Sequence, residues 1–82
     1  MKEKVIKILQ EINPEIDFTE EVNFIKRGIL DSFDVVNLVT ALELEFGISI
    51  NGIDIVPENF ENIESIKNLL NKTRQNYEPN IL

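Results

Sequence analysis

The chain has no cysteine and no histidine among its 82 residues. Without cysteine, neither disulfides nor thiolate metal ligands are available to staple a small core. Without histidine, the usual general base and the commonest transition-metal ligand are missing. Neither a hydrolase triad nor an ordinary zinc site is expected from such a residue supply. Basic residues are absent from a long span as well. No Lys or Arg lies between Gly28 and Ile66, a stretch that holds Asp31, Asp34, Glu43, Glu45, Asp54, Glu58, Glu61 and Glu64. The rest of the chain is close to neutral, so the net charge of −7 belongs to that half. An acidic half repels phosphates and argues against nucleic acid. It suits partners with basic patches, although charge spread for solubility reads the same way. No apolar run is long enough for a membrane span or a leader. The start, MKEKVIKILQEI, mixes charged and apolar residues at helical spacing. A single small, soluble, cytoplasmic and monomeric domain is expected, near the size at which one core just suffices.

What is present is mostly helical periodicity. Val5, Ile8, Leu9 and Ile12 recur at i, i+3, i+4, i+7 over Lys2 to Ile12, and Asn13-Pro14 stops that helix. From Glu15 to Leu30 there is no clear period. That segment is expected to lie across the helices, with a short turn near Thr19 to Phe24 and a tight turn at Gly28. The main helix follows and ends at Phe46-Gly47. In ISINGIDIV, Ile48, Ile50, Ile53 and Ile55 alternate around Asn51-Gly52, a hairpin signal. Two short strands without a third partner are marginal. An extended loop with all its isoleucines on the core is the first reading, and a short hairpin the second. Pro57 to Asn62 suits a short helix anchored by Phe60. Asn62 then caps a last helix carrying Ile63, Ile66, Leu69 and Leu70. Residues 73–82 carry Pro79 and little periodicity, and read as a frayed tail.

The main helix carries two apolar stripes. At ~100° per residue, Val35, Leu38, Val39, Leu42 and Phe46 share one face, which is the expected core face. Phe33, Val36, Thr40 and Leu44 gather opposite, beside Asn37. Either loops cover that second stripe, or it is an exposed docking strip flanked by Asp34, Glu43 and Glu45. At the start of the helix, Asp31 or Ser32 can act as the cap, with Asp34 placed for a capping box. Ser32 is therefore a capping serine or an attachment point. Catalytic use is not expected, because no base accompanies it. A phosphate ester on its hydroxyl would meet a helix N-terminus, which favours an anion by ~0.3–1 kcal/mol.

These residues give the chain its resemblance to a known family. Gly28-Ile29-Leu30-Asp31-Ser32-Phe33 leads into the helix Asp34 to Phe46, and Ile48-Ser49-Ile50 and Pro57-Glu58-Asn59-Phe60 precede an isoleucine-rich last helix. In this order the chain resembles the acyl carrier protein family, peptidyl and D-alanyl carriers included, over residues 1–72. The resemblance implies an all-α, four-helix bundle with a short third helix, and a tail at 73–82. It implies 4′-phosphopantetheine attached to Ser32 by a phosphopantetheinyl transferase, with an acyl or aminoacyl group carried as a thioester on the arm. The sulfur then comes from the cofactor, as a chain without cysteine requires. Asp31, Phe33, Asp34, Val36, Asn37, Thr40 and Leu44 are the positions that partner enzymes would read. Those partners are the transferase, a loading enzyme and downstream acyl-transfer enzymes; the chain itself is not expected to be an enzyme. Fatty-acid carriers typically place leucine after the serine and glutamate where this chain has Asn37. Leu30-Asp31-Ser32-Phe33 is closer to D-alanyl and free-standing peptidyl carriers, which points to a specialised pathway. The competing reading is a non-covalent acidic helical adaptor that binds a partner through the same strip.

Overall fold

The computed structural model describes residues 1–19 and 22–76. Among these residues the protein is all-helical. It comprises α1 (Lys2–Ile12), α2 (Ser32–Phe46) and α3 (Ile63–Asn76), with two short 3-10 helices, η1 (Gly52–Asp54) and η2 (Pro57–Phe60), between α2 and α3. The short helix expected over Pro57 to Asn62 is thus a single 3-10 turn with proline in its first turn, anchored by fully buried Phe60.

Each helix ends where local chemistry stops it. At the end of α1, Asn13 leaves helical geometry while its N–H still reaches Leu9 O. Gly47 closes α2 in the left-handed region (φ 64°), donating its N–H to Glu43 O. A residue with a Cβ is disfavoured there, so the glycine sets the end of the helix. Asn62 opens α3 by accepting the Ser65 N–H on Oδ1 at 2.8 Å. α3 then runs four residues past Lys72, to Asn76, with Thr73 buried on its inner face. The tail expected over 73–82 therefore meets a continuing helix in its first four positions, while 77–82 lie outside the described residues.

Val5, Ile8 and Leu9 of α1, Leu38, Val39 and Leu42 of α2, and Ile66, Leu69 and Leu70 of α3 form one buried cluster. Val35 and Phe46, expected in the core, are only half-buried at its edge. Beyond that edge, Lys4 of α1 reaches Glu45 at 3.5 Å and lies 6.0 Å from the centroid of the Phe46 ring. The start of α1 therefore lies beside the end of α2. A cation at that position also suits the negative end of the α2 dipole.

The long connection between α1 and α2 is ordered by Phe24. Its ring packs edge-on to Phe18, with centroids 5.3 Å apart, and both rings are fully buried. Its N–H donates to Glu61 O at 2.7 Å, tying the connection to the segment ahead of α3. Its carbonyl accepts from both Ile29 and Leu30. Asn23 Oδ1 caps the turn that follows, accepting from Ile25 and Lys26. Gly28, at φ 71°, reverses the chain. This turn runs from Phe24 to Gly28; the turn expected at Thr19 to Phe24 falls partly on residues 20–21, outside the described residues. A smaller turn precedes it, in which the Thr19 hydroxyl and N–H both donate to Asp17 Oδ1 and hold that carboxyl below its ordinary pKa.

The segment after α2 differs from the sequence expectation in its second half. Ile48 and Ile50 are buried, but Ile53 is 80% exposed and Ile55 and Val56 are also exposed. No strand occurs among the described residues, so the hairpin is not formed. Asn51 Oδ1 instead accepts the Ile53 N–H and opens η1. No helix of the described residues is long and apolar enough to cross a membrane.

Candidate functional site

The start of α2 separates capping from whatever Ser32 does. Asp31 is the N-cap: its Oδ1 accepts the Asp34 N–H at 2.8 Å, and Asp34 Oδ2 accepts the Asp31 N–H at 3.3 Å. This reciprocal pair is a full capping box. Ser32 is the first helical residue, exposed, and no hydrogen bond among the described residues engages its hydroxyl. Of the two candidate caps left open by the sequence, Asp31 takes the task. Ser32 has no role in holding the helix.

The environment of Ser32 is open. Asp31 and Phe33 on either side are exposed, the latter at 72%. The backbone N–H groups of Ser32 and Phe33 fall in the first turn, where no intrahelical acceptor exists. An anion on Ser32 would meet those donors, but also the carboxylates of Asp31 and Asp34. Like charge therefore offsets the small benefit of the helix dipole. A phosphate is not drawn to this position by electrostatics alone; a covalent bond would have to hold it.

The second stripe of α2 is uncovered. Phe33, Val36 (59%) and Leu44 (81%) are exposed, in contrast to Leu38 and Leu42 at 0% on the core face. Asn37 and Thr40 are exposed between them, and the Thr40 hydroxyl donates to Val36 O. No described segment wraps this face. The positions singled out from the sequence are Asp31, Ser32, Phe33, Asp34, Val36, Asn37, Thr40 and Leu44. They lie on α2 or at its cap, and all but half-buried Asp34 are exposed.

Val36→Asp is accordingly expected to leave helicity and melting nearly unchanged, within about 0.5 kcal/mol for an exposed position. Leu42→Ala, on the core face of the same helix and fully buried, should lose ~2–5 kcal/mol. Circular dichroism melts of the two variants check the assignment of faces; a large loss in the Val36 variant would place the strip in the core.

A cleft of about 470 Å³ opens elsewhere, lined by Lys2 and Ile6 of α1, Phe18 and Val22 of the connection, and Ile63 and Glu64 of α3, among others. Lys4 pairs with Glu45, so the start of α1 marks the end of α2 opposite to Ser32. The serine itself stands on an open surface.

Similarity to a characterised protein decides the family. The chain is 30% identical over 74 residues to Aminoacyl carrier protein 1 of Bradyrhizobium diazoefficiens, a match covering 85% of this chain and 81% of that protein. The chain belongs to the acyl and aminoacyl carrier protein family. No protein-family model matches it, and no solved structure matches it. The carrier protein is thus all-helical among its described residues, with its uncovered apolar strip on the helix that Ser32 begins.

Ile53, Ile55 and Val56 of the carrier are surface residues that periodicity assigned to the core or passed over. The signal against the core was register: Ile48 and Ile50 stand at even positions and Ile53 and Ile55 at odd ones, so without a hairpin at Asn51-Gly52 the two pairs face opposite ways.

Proposed function

We propose that this carrier holds an acyl or aminoacyl group as a thioester on a 4′-phosphopantetheine arm attached to Ser32 Oγ, and presents it to partner enzymes. The observation that carries this reading is the division of roles at the start of α2. Asp31 caps the helix, which leaves an exposed serine hydroxyl with no structural task. The residues fit the group: the hydroxyl is accessible, and no neighbouring side chain would have to move aside. The arm would supply the sulfur that a chain without cysteine lacks. Asp31 and Asp34 would keep the helix start fixed while partners read Phe33, Val36, Asn37, Thr40 and Leu44. The partners are a phosphopantetheinyl transferase, a loading enzyme and downstream acyl-transfer enzymes. An aminoacyl cargo is favoured by the name of the relative and by Leu30-Asp31-Ser32-Phe33. In this reading η2 takes the place of the short third helix of a four-helix carrier bundle.

Co-expression with a promiscuous phosphopantetheinyl transferase, followed by intact mass measurement, tests the proposal. The chain should gain the mass of one phosphopantetheine group. Absence of any gain with several such transferases would reject the reading in favour of a non-covalent adaptor, which uses the same strip without modification.

A further inference from the structure

Lys26 and Arg27 are the last bases before the span that has none, and no other base stands so near Ser32 along the chain. Both are exposed. Lys4, Lys67 and Lys72 each pair with a carboxylate, whereas Lys26 and Arg27 join no ion pair among the described residues. The turn that carries them is held firmly. The Lys26 N–H donates to Asn23 Oδ1 at 2.9 Å, the Arg27 N–H to Asn23 O at 3.0 Å, and the Gly28 N–H to Ile25 O at 3.1 Å. Past the reversal at Gly28, the Ile29 and Leu30 N–H groups return to Phe24 O, and Leu30 adjoins the cap residue Asp31. A fixed backbone thus presents the two bases just ahead of α2. The chain from Arg27 to Ser32 spans at most about 18 Å when extended. The reversal shortens that span, leaving a gap that a long side chain and a phosphate ester can close from its two ends.

Charge gives the pair a task. A phosphodiester on Ser32 would lie among the carboxylates of Asp31 and Asp34, whose repulsion offsets the helix dipole. A cation is what such a group lacks there, and between Gly28 and Ile66 the sequence provides none. Arg27 offers a planar fork to two phosphate oxygens, and Lys26 a mobile point charge. We propose that Arg27, with Lys26 beside it, is the counter-charge for the phosphodiester at the base of the arm, and draws that base back toward the Phe24–Gly28 turn. This rests on the carrier reading above. Arg27 is then a positioning residue for the arm and has no part in its attachment.

The test compares the full, isotope-labelled chain by NMR before and after modification by a phosphopantetheinyl transferase with coenzyme A as donor. The Arg27 Nε–Hε resonance should shift on modification, and return as NaCl rises from about 0.02 to about 0.5 M, where exposed ion pairs are screened. The phosphorus resonance of the arm should move over the same range of salt. In Lys26→Gln with Arg27→Gln that movement should shrink about threefold or more, and in Arg27→Lys part of it should remain, with the α2 amide pattern unchanged. An Arg27 resonance indifferent to modification, or a phosphorus resonance equally sensitive to salt in the double variant, overturns the counter-charge and leaves the pair to carboxylates of a partner. The Arg27 comparison is made in the unaltered chain, so it stands even where a variant is modified poorly. Failure of the unaltered chain to gain the arm overturns the carrier reading itself, and the role of Arg27 with it.

Discussion

Ser32→Ala is expected to gain no mass under conditions in which the unaltered chain is fully modified, and to unfold within about 0.5 kcal/mol of it. The two halves of that result have different causes. Loss of modification follows from removing the hydroxyl to which the proposed arm attaches. Unchanged stability follows from the cap geometry: the hydrogen bonds at the start of α2 belong to Asp31 and Asp34. Alanine at the first helical position has, if anything, the better propensity. Asp31→Ala provides the contrast, since it removes the cap and should lose ~0.5–2 kcal/mol. Intact mass and urea unfolding on the three proteins read both halves. A Ser32 variant that is still modified, or that loses as much stability as the Asp31 variant, would contradict the separation of roles.

Phe24→Ala should have the largest effect on folding, about 3–5 kcal/mol for a fully buried aromatic. The ring is 0% exposed and packs against Phe18. Its backbone also receives Ile29 and Leu30 and reaches Glu61, so a cavity there loosens the whole connection. Small domains have roughly 0.05–0.15 kcal/mol of stability per residue, or about 4–12 kcal/mol for this chain, so a large share of the total would be lost. Phe33→Ala, the same substitution at an exposed site, should change stability by no more than about 0.5 kcal/mol. Urea denaturation midpoints of the two variants give the comparison directly. Similar losses in both would mean that the two faces have been confused.

The helices were legible because their signals are local. The 3.6-residue period marked α1, α2 and α3, and Asn13-Pro14, Gly47 and Asn62 marked ends that the structure confirms. The two-faced nature of α2 was legible too, but not whether its outer face is covered; that depends on where distant segments pass. The connection before α2 was the harder part. Nothing local distinguishes Phe24 from Phe18 as the residue that reaches Glu61. In the segment after α2, periodicity misled: Ile48 and Ile50 stand at even positions and Ile53 and Ile55 at odd ones, so the two pairs share a face only if the chain reverses as a hairpin at Asn51-Gly52, and η1 forms there instead. At the site, the choice between Asp31 and Ser32 as cap was open in the sequence because both residue types cap well. Hydrogen-bond geometry resolves it.

The capping box has a consequence for the order of events in the life of the chain. A substituent on a side chain that makes no native contact shifts the folding equilibrium little, and for an anion on Ser32 the repulsion from Asp31 and Asp34 offsets the benefit of the helix dipole. The bare chain therefore reaches its native state without waiting for any attachment. An enzyme that acted on Ser32, as proposed, would meet a finished helix, and the unmodified and modified chains would then be about equally resistant to proteolysis.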